Sequence, residues 1–130
     1  MSRDPQRLAD YLAHILEAIE RIGRYTAHMD REAFLGNPLV QDAVIRNLEV
    51  IGEASSNIEK HCPTFAANHP QLPLSSAYQM RNALAHGYFK VDVEIVWQTI
   101  QRDLPELHAQ VRAAQAELPP GAQGADGLRP

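Results

Sequence analysis

The sequence predicts an all-α protein, and three observations favour that class. Apolar residues recur at helical spacing in several segments, prolines fall between those segments, and no Asn-Gly or Asp-Gly pair is flanked by the alternating hydrophobic residues of a β-hairpin. With 130 residues, of which 45% are hydrophobic and 22% charged, the chain suits one modest core. We therefore expect one helical domain over residues 1–118 and a flexible, Gly- and Pro-rich tail over residues 119–130.

Two long helices are predicted in the first half of the chain. Asp4-Pro5 is typical of an N-cap followed by proline at the first helical position, and it starts a helix that runs to about Ala27. Asp30 then predicts a short capped turn that stops at Gly36. Asn37-Pro38 repeats the start signal. The apolar face of this second long helix comprises Val40, Val44, Leu48, Ile51 and Ile58.

The second half begins with a predicted loop. Pro63 should end the second long helix, and residues 63–73 hold three prolines among polar neighbours. Ser76 with Gln79 resembles a capping box, which predicts a third, shorter helix to about Ala85, closed by Gly87.

Two further acidic residues predict the last helical segments. Asp92 can cap a fourth helix, and Asp103 with Glu106 is another capping-box pattern, with Pro105 in its first turn. A bend or a fresh helix should therefore follow through Leu118, which gives four or five helices in all.

Composition also restricts the function. The net charge of −4 argues against a strongly electropositive nucleic-acid interface, so any phosphate site must depend on local positive charge. The single cysteine, Cys62, excludes an internal disulfide framework. Because the N-terminus lacks the apolar run of a signal peptide and no apolar stretch is long enough to cross a bilayer, we expect a cytoplasmic protein without membrane attachment.

The segment from Arg81 to Tyr88 contains the residue types of phosphate chemistry. His86 can exchange protons near neutral pH, and Arg81 offers a permanently charged fork that matches phosphate oxygens. RNA cleavage without metal needs these two functions. Five residues along a helix rotate two side chains about 140° apart, so a composite site between two copies of the chain is one arrangement. A solvated arginine and a helix-capping histidine are an equally good interpretation of the spacing alone.

Four polar residues are secondary candidates. Arg46, Asn47 and Glu53 on the second long helix, and Asn82 beside Arg81, could line a cleft and orient His86. The alternative is a solvated or dimer-facing strip, which amphipathic helices carry in any case.

Other conspicuous residues favour structural roles. His61, Cys62 and His69 have none of the familiar zinc spacings, so neither a metal nor a cofactor is expected. Trp97 should pack in the core or an interface. The same packing role is predicted for Tyr11, Tyr25 and Tyr78.

Three segments resemble HepT-like proteins of the HEPN superfamily. The phrase Met-Arg-Asn-Ala-Leu-Ala-His-Gly-Tyr-Phe at residues 80–89 is similar to the family signature. Residues 44–53 resemble the family's second long helix, and residues 93–105 resemble its fourth. In this order the resemblance covers residues 4 to about 115.

The resemblance implies a fold and an activity. It implies a HEPN-type bundle of four to five helices, with two long antiparallel helices, that forms a two-fold homodimer. It also implies the toxin of a type VII toxin-antitoxin system, a metal-independent endoribonuclease in which Arg81 and His86 match the catalytic pair. Tyr88 matches the tyrosine that receives AMP from the partner, a minimal nucleotidyltransferase called MntA. HEPN folds also serve as non-catalytic adaptors that bind nucleotide or dock a nucleotidyltransferase, which is the alternative.

Overall fold

The computed structural model describes residues 3–85 and 92–118, and all regular secondary structure within these ranges is helical. The predicted all-α class is confirmed. A π-helical turn at Thr99–Asp103 joins the last two of the α-helices. In chain order these are α1 (Arg3–Tyr25), α2 (Arg31–Leu35), α3 (Pro38–His61), α4 (Pro63–Asn68), α5 (Leu74–Ala85), α6 (Val93–Gln98) and α7 (Leu104–Ala116).

The two long helices, α1 and α3, run antiparallel. The ring of Tyr11, in the first half of α1, stacks on that of His61 at the end of α3, with 6.3 Å between the ring centroids. The apolar stripe of α1 is buried against the rest of the bundle, as its helical spacing predicts. Its buried members include Leu8, Leu12, Ile15, Ile19 and Ile22.

Local side-chain caps set the starts of three helices, as the sequence predicts. The carboxylate of Asp30 accepts a hydrogen bond from the amide of Ala33 at 2.8 Å, and the Asn37 side chain accepts one from Val40. Asp92 caps α6 in the same way through the amide of Glu94. Each cap satisfies an amide that the first turn of a helix leaves without an internal acceptor.

The predicted loop at residues 63–73 is wrong in its first half, because Pro63–Asn68 forms the short helix α4. Proline ends a helix that precedes it but also suits the first position of a new one, and here Pro63 has both effects. The predicted capping box at Ser76 is wrong as well. Helix α5 already begins at Leu74, which places Ser76 inside its first turn.

The predicted capping box at Asp103 does not form either. Asp103 has helical backbone angles, φ −85° and ψ −39°, and its side chain makes no capping hydrogen bond to α7. The chain continues instead through the π turn, in which the amide of Leu104 donates to the carbonyl of Thr99. The adjacent Pro105 lacks an amide hydrogen and would break a regular α-helical ladder at this point.

Helix α3 is the centre of the bundle, since it packs extensively on both α1 and α5. Helix α7 packs on α1, and its apolar side chains at Leu107 and Val111 are buried. Trp97 contacts the buried Phe34 with 5.3 Å between ring centroids, which confirms the predicted packing role. Tyr25 is 41% exposed, so the packing role predicted for it is wrong.

Across the described ranges, no helix is both long and apolar enough to cross a membrane. The tail predicted at residues 119–130 lies outside the described residues.

Candidate active site

Arg81 lies in the last part of α5 and faces α3. Its guanidinium Nη2 is 2.9 Å from Oε2 of Glu53, and its side chain is only 26% exposed. Partial burial weakens the screening of such an ion pair by water. The pair joins two helices and fixes the direction in which the guanidinium points.

Gly52 explains how α5 comes so close to α3. A Cβ atom at this position would lie 2.2 Å from Cβ of Arg81 and 2.7 Å from the carbonyl oxygen of Ala77. Neither contact is possible for real atoms, so only glycine allows this approach of the two helices. Gly52 and Glu53 are neighbours in the sequence and act on the same arginine. Gly52 leaves space for the Arg81 side chain, and Glu53 forms an ion pair with its guanidinium.

A groove of about 350 Å³ opens beside the pair. It lies between α1, α3 and the end of α5, and both long helices contribute polar side chains to its walls. Its lining residues are His14, Arg46, Glu49, Val50, Glu53, Ala54, Asn57 and Arg81.

Three of the predicted site residues therefore meet in one groove, namely Arg46, Glu53 and Arg81. Asn47 does not line it, because its side chain is buried and its amide donates to the carbonyl of Ala43. Asn82 is half-buried and is also outside the groove lining.

His86 and Tyr88, the other two predicted site residues, lie outside the described residues. Gly87, the predicted end of α5, lies there too. The described helix leads directly to this segment, since α5 extends to Ala85.

The three residues considered for zinc have separate structural positions. His61 stacks on Tyr11, and Cys62 is buried at the end of α3. Within residues 3–85 and 92–118, no group of three or more histidine, cysteine or acidic side chains could hold a metal ion.

His69 has a well-defined environment of its own. Its ring stacks on Phe65 at 4.0 Å, and its nitrogens lie 2.9 Å from the Phe65 carbonyl and 2.9 Å from Oε1 of Glu117. Burial of the ring lowers the pKa of His69, but the hydrogen bonds to Glu117 and Phe65 outweigh this effect and raise it above the ordinary value. The His69 side chain thus links the end of α4 to the end of α7.

The arrangement around Arg81 suits the binding of a phosphate. A guanidinium carries its N–H donors in a rigid fork that matches phosphate oxygens, and the ion pair with Glu53 orients the fork of Arg81. Sequence reasoning did not find His14, Glu49 and Asn57 as groove residues. Asn57 and Glu49 could have been predicted, because they share a face of α3 with Arg46 and Glu53. His14 could not, because it reaches the groove only through the packing of α1 on α3.

The comparison with protein families decides the identity. The family model described as "Ribonuclease HepT-like" matches residues 15–114. The chain belongs to the ribonuclease HepT-like family. The matched range includes α3, with Gly52 and Glu53, and α5, with Arg81.

Curated relatives of this HepT-like chain agree with the family match. It is 46% identical over 98 residues to "Probable ribonuclease HepT" of Thermococcus cleftensis, a match that covers 75% of this chain and 86% of the relative. A "Putative RNase" of Caldanaerobacter subterraneus subsp. tengcongensis is 37% identical over 102 residues, covering 78% of this chain and 88% of the relative.

A longer relative also matches the HepT-like chain. "Gamma-glutamylcyclotransferase and putative RNase" of Methanocaldococcus jannaschii is 36% identical over 108 residues, which are 83% of this chain but 47% of that protein. No solved structure gives a significant match.

Proposed function

We propose that this chain is a metal-independent endoribonuclease that acts as the toxin of a type VII toxin-antitoxin system. Membership of the ribonuclease HepT-like family supports the activity, and one structural observation carries the site. Arg81 is held at the wall of an open groove by its ion pair with Glu53. A fixed cation beside a groove is what a strained phosphodiester requires for stabilisation.

His86 supplies the proton transfer in this proposal. The 2′-hydroxyl of the RNA loses its proton and its oxygen attacks the adjacent phosphorus, while the 5′-oxygen leaves and receives a proton. Arg81 stabilises the charge that develops on the phosphorane oxygens. A two-fold homodimer would bring the arginines and histidines of two chains to one cleft, an arrangement that the five-residue spacing of Arg81 and His86 in the sequence favours.

Tyr88 is the regulatory residue in this proposal. A MntA-like nucleotidyltransferase transfers AMP from ATP to the Tyr88 hydroxyl, and pyrophosphate leaves. AMP adds negative charge and bulk two residues from His86, where the RNA phosphate must lie. The modified protein should therefore be unable to bind its substrate productively.

The decisive experiment is cleavage of total RNA in EDTA by unmodified wild type, Arg81→Ala and His86→Ala. Each protein is first shown to have the wild-type helical content and oligomeric state. Cleavage by the wild type alone supports the proposal. Equal cleavage by all three proteins indicates another site or a contaminating nuclease, and no cleavage by any of them would favour the non-catalytic adaptor.

The toxin role has its own test, which is growth of cells that express the chain without its partner. Growth arrest that His86→Ala relieves is the expected result. Intact mass of protein co-expressed with the nucleotidyltransferase should increase by whole AMP units, and Tyr88→Phe should abolish this increase. Growth that stays normal with unmodified wild-type protein would contradict the toxin role.

A further inference from the structure

The groove contains two basic side chains that catalysis as proposed does not use, Arg46 on α3 and His14 on α1. We infer that they form a subsite for a backbone phosphate of single-stranded RNA, adjacent to the phosphate held by Arg81. This inference rests on the proposed ribonuclease function and adds to it the path of the strand. The strand would run along α3, from the Arg81 end of the groove toward Arg46.

Arg46 is placed so that it can exchange its ion-pair partner, Glu49, for a phosphate. Its side chain is 74% exposed, and Nη1 lies 3.8 Å from Oε1 of Glu49, beyond hydrogen-bonding distance. Exposed pairs of this kind contribute little to stability, so giving one up for a phosphate costs little. A guanidinium binds phosphate oxygens through two parallel N–H donors, which is a stronger interaction than the contact it replaces.

Helical geometry places Arg46 in line with the Arg81 site. Arg46, Val50, Glu53 and Asn57 follow one another at intervals of four, three and four residues, so they lie on one face of α3. Seven residues separate Arg46 from Glu53, which corresponds to about 10 Å along the helix axis. His14 is exposed and faces the same groove from α1. The subsite therefore has two walls, one formed by α3 and the other by α1.

The charge balance of the groove makes each positively charged side chain important for RNA binding. Arg46 and Arg81 face Glu49 and Glu53, and Glu53 is already paired with Arg81. Because the whole chain carries a net charge of −4, long-range attraction for RNA is absent and binding must come from local contacts. Loss of one of these contacts should therefore remove a large fraction of the total binding free energy for RNA.

The test measures binding of full-length protein to a fluorescent, 2′-O-methylated single-stranded RNA, which the proposed reaction cannot cleave. Arg46→Ala should weaken binding several-fold and reduce the slope of log K against log salt concentration by about 0.7, the value for one phosphate contact on a single strand. His14→Gln should also weaken binding. Circular dichroism checks that both exposed substitutions leave the fold unchanged.

Arg21→Ala is the matched control. Arg21 is also an exposed helical arginine in a long ion pair, 3.6 Å from Glu17, and it does not line the groove. The control should bind RNA as the wild type does. If Arg46→Ala gives the same affinity and salt slope as Arg21→Ala while the wild type binds and cleaves RNA, the subsite is wrong and the ribonuclease function stands.

Two further outcomes would also overturn the inference. If the wild type neither binds the RNA nor cleaves an unmethylated one, the proposed function fails and the subsite with it. The phosphates of a free nucleotide offer Arg46 the same chemistry as RNA. Displacement of the RNA by ATP from wild type but not from Arg46→Ala would assign the subsite to free nucleotides.

Discussion

At the contact between α3 and α5, the missing side chain of Gly52 determines where Arg81 lies. A Cβ there would overlap the Arg81 side chain and the Ala77 carbonyl, and backbone cannot move aside as a flexible side chain can. The site therefore depends on a residue that makes no chemical contribution to it. Glu53 then fixes the guanidinium electrostatically.

Gly52→Ala should destabilise the protein by about 1–3 kcal/mol, the usual cost of overpacking, and should also displace Arg81. Urea unfolding followed by circular dichroism measures the first effect. Gly23→Ala is the control, because nothing lies within 4 Å of a Cβ at that helical position. Alanine there should stabilise the protein, by up to about 1 kcal/mol. Equal effects of the two substitutions would contradict the close helix approach.

Glu53→Gln should reduce kcat for RNA cleavage by up to about 100-fold, because a small misplacement of a catalytic group has a large kinetic effect. KM should change less, since Arg81 keeps its charge. The conservative variant Glu53→Asp should recover part of the activity. Glu17→Gln removes an exposed carboxylate from Arg21 and serves as the control. An unchanged kcat in Glu53→Gln would mean that the ion pair does not position Arg81 for catalysis.

Local rules predict the starts of α2, α3 and α6. The caps at Asp30, Asn37 and Asp92 each involve a side chain and an amide two or three residues away, so the sequence contains all the information they need. Pro63 is ambiguous because proline both stops one helix and starts the next. The π turn was not predicted because its only sign in the sequence is an irregular spacing of apolar residues. Val96, Ile100 and Leu104 are four apart, which exceeds the α-helical repeat by about 0.8 residue over two steps.

The contents of the site are predictable in part. The signature at residues 80–89 singles out Arg81 only through its resemblance to HepT-like proteins, since the spacing of Arg81 and His86 alone fits a solvated arginine and a helix-capping histidine equally well. The partnership of Arg81 with Glu53, 28 residues earlier, and the presence of His14 in the same groove depend on how helices pack. Such contacts follow from tertiary structure, which no local pattern encodes.

At the level of elements, His69 should make stability depend on pH. Its pKa is raised in the folded protein, so its stabilising contribution is fully present below its ordinary value of 6.5 and is lost as pH rises through the raised value. The midpoint of thermal unfolding should therefore fall more between about pH 5 and pH 9 in wild type than in His69→Gln, across the range where histidine titrates.

Glu117→Gln tests the partner in the same contact. This variant should lose most of the wild-type pH dependence, because Glu117 accepts the hydrogen bond from Nε2 of His69. Glu106→Gln, an exposed carboxylate at the other end of α7, should keep it. A pH profile that is the same in all four proteins would exclude the link between α4 and α7.

At the level of the whole molecule, the proposed site requires two copies of the chain. Specific activity should therefore fall on dilution through the dimer dissociation constant, since dissociation separates the two cleft walls. Cleavage rates at a series of protein concentrations, compared with the dimer fraction from analytical ultracentrifugation, measure this. A rate strictly proportional to total protein across the dissociation range would show that one chain suffices.

The π turn at Thr99–Asp103 has a consequence for how this chain can change in evolution. The wider π turn accommodates one extra residue, so that α7 still buries Leu107 and Val111 against the bundle. Deleting a single residue there should convert the turn into a regular α-helix and leave this apolar stripe in nearly the same phase, because one wide π turn spans about the same rotation as one α turn with a residue fewer. A sequence one residue shorter in this turn is therefore compatible with the fold, whereas removal of one residue from a regular helix rotates everything beyond it by about 100°. In this short stretch the chain should therefore be able to lose a residue and still keep the packing of α7 on the bundle.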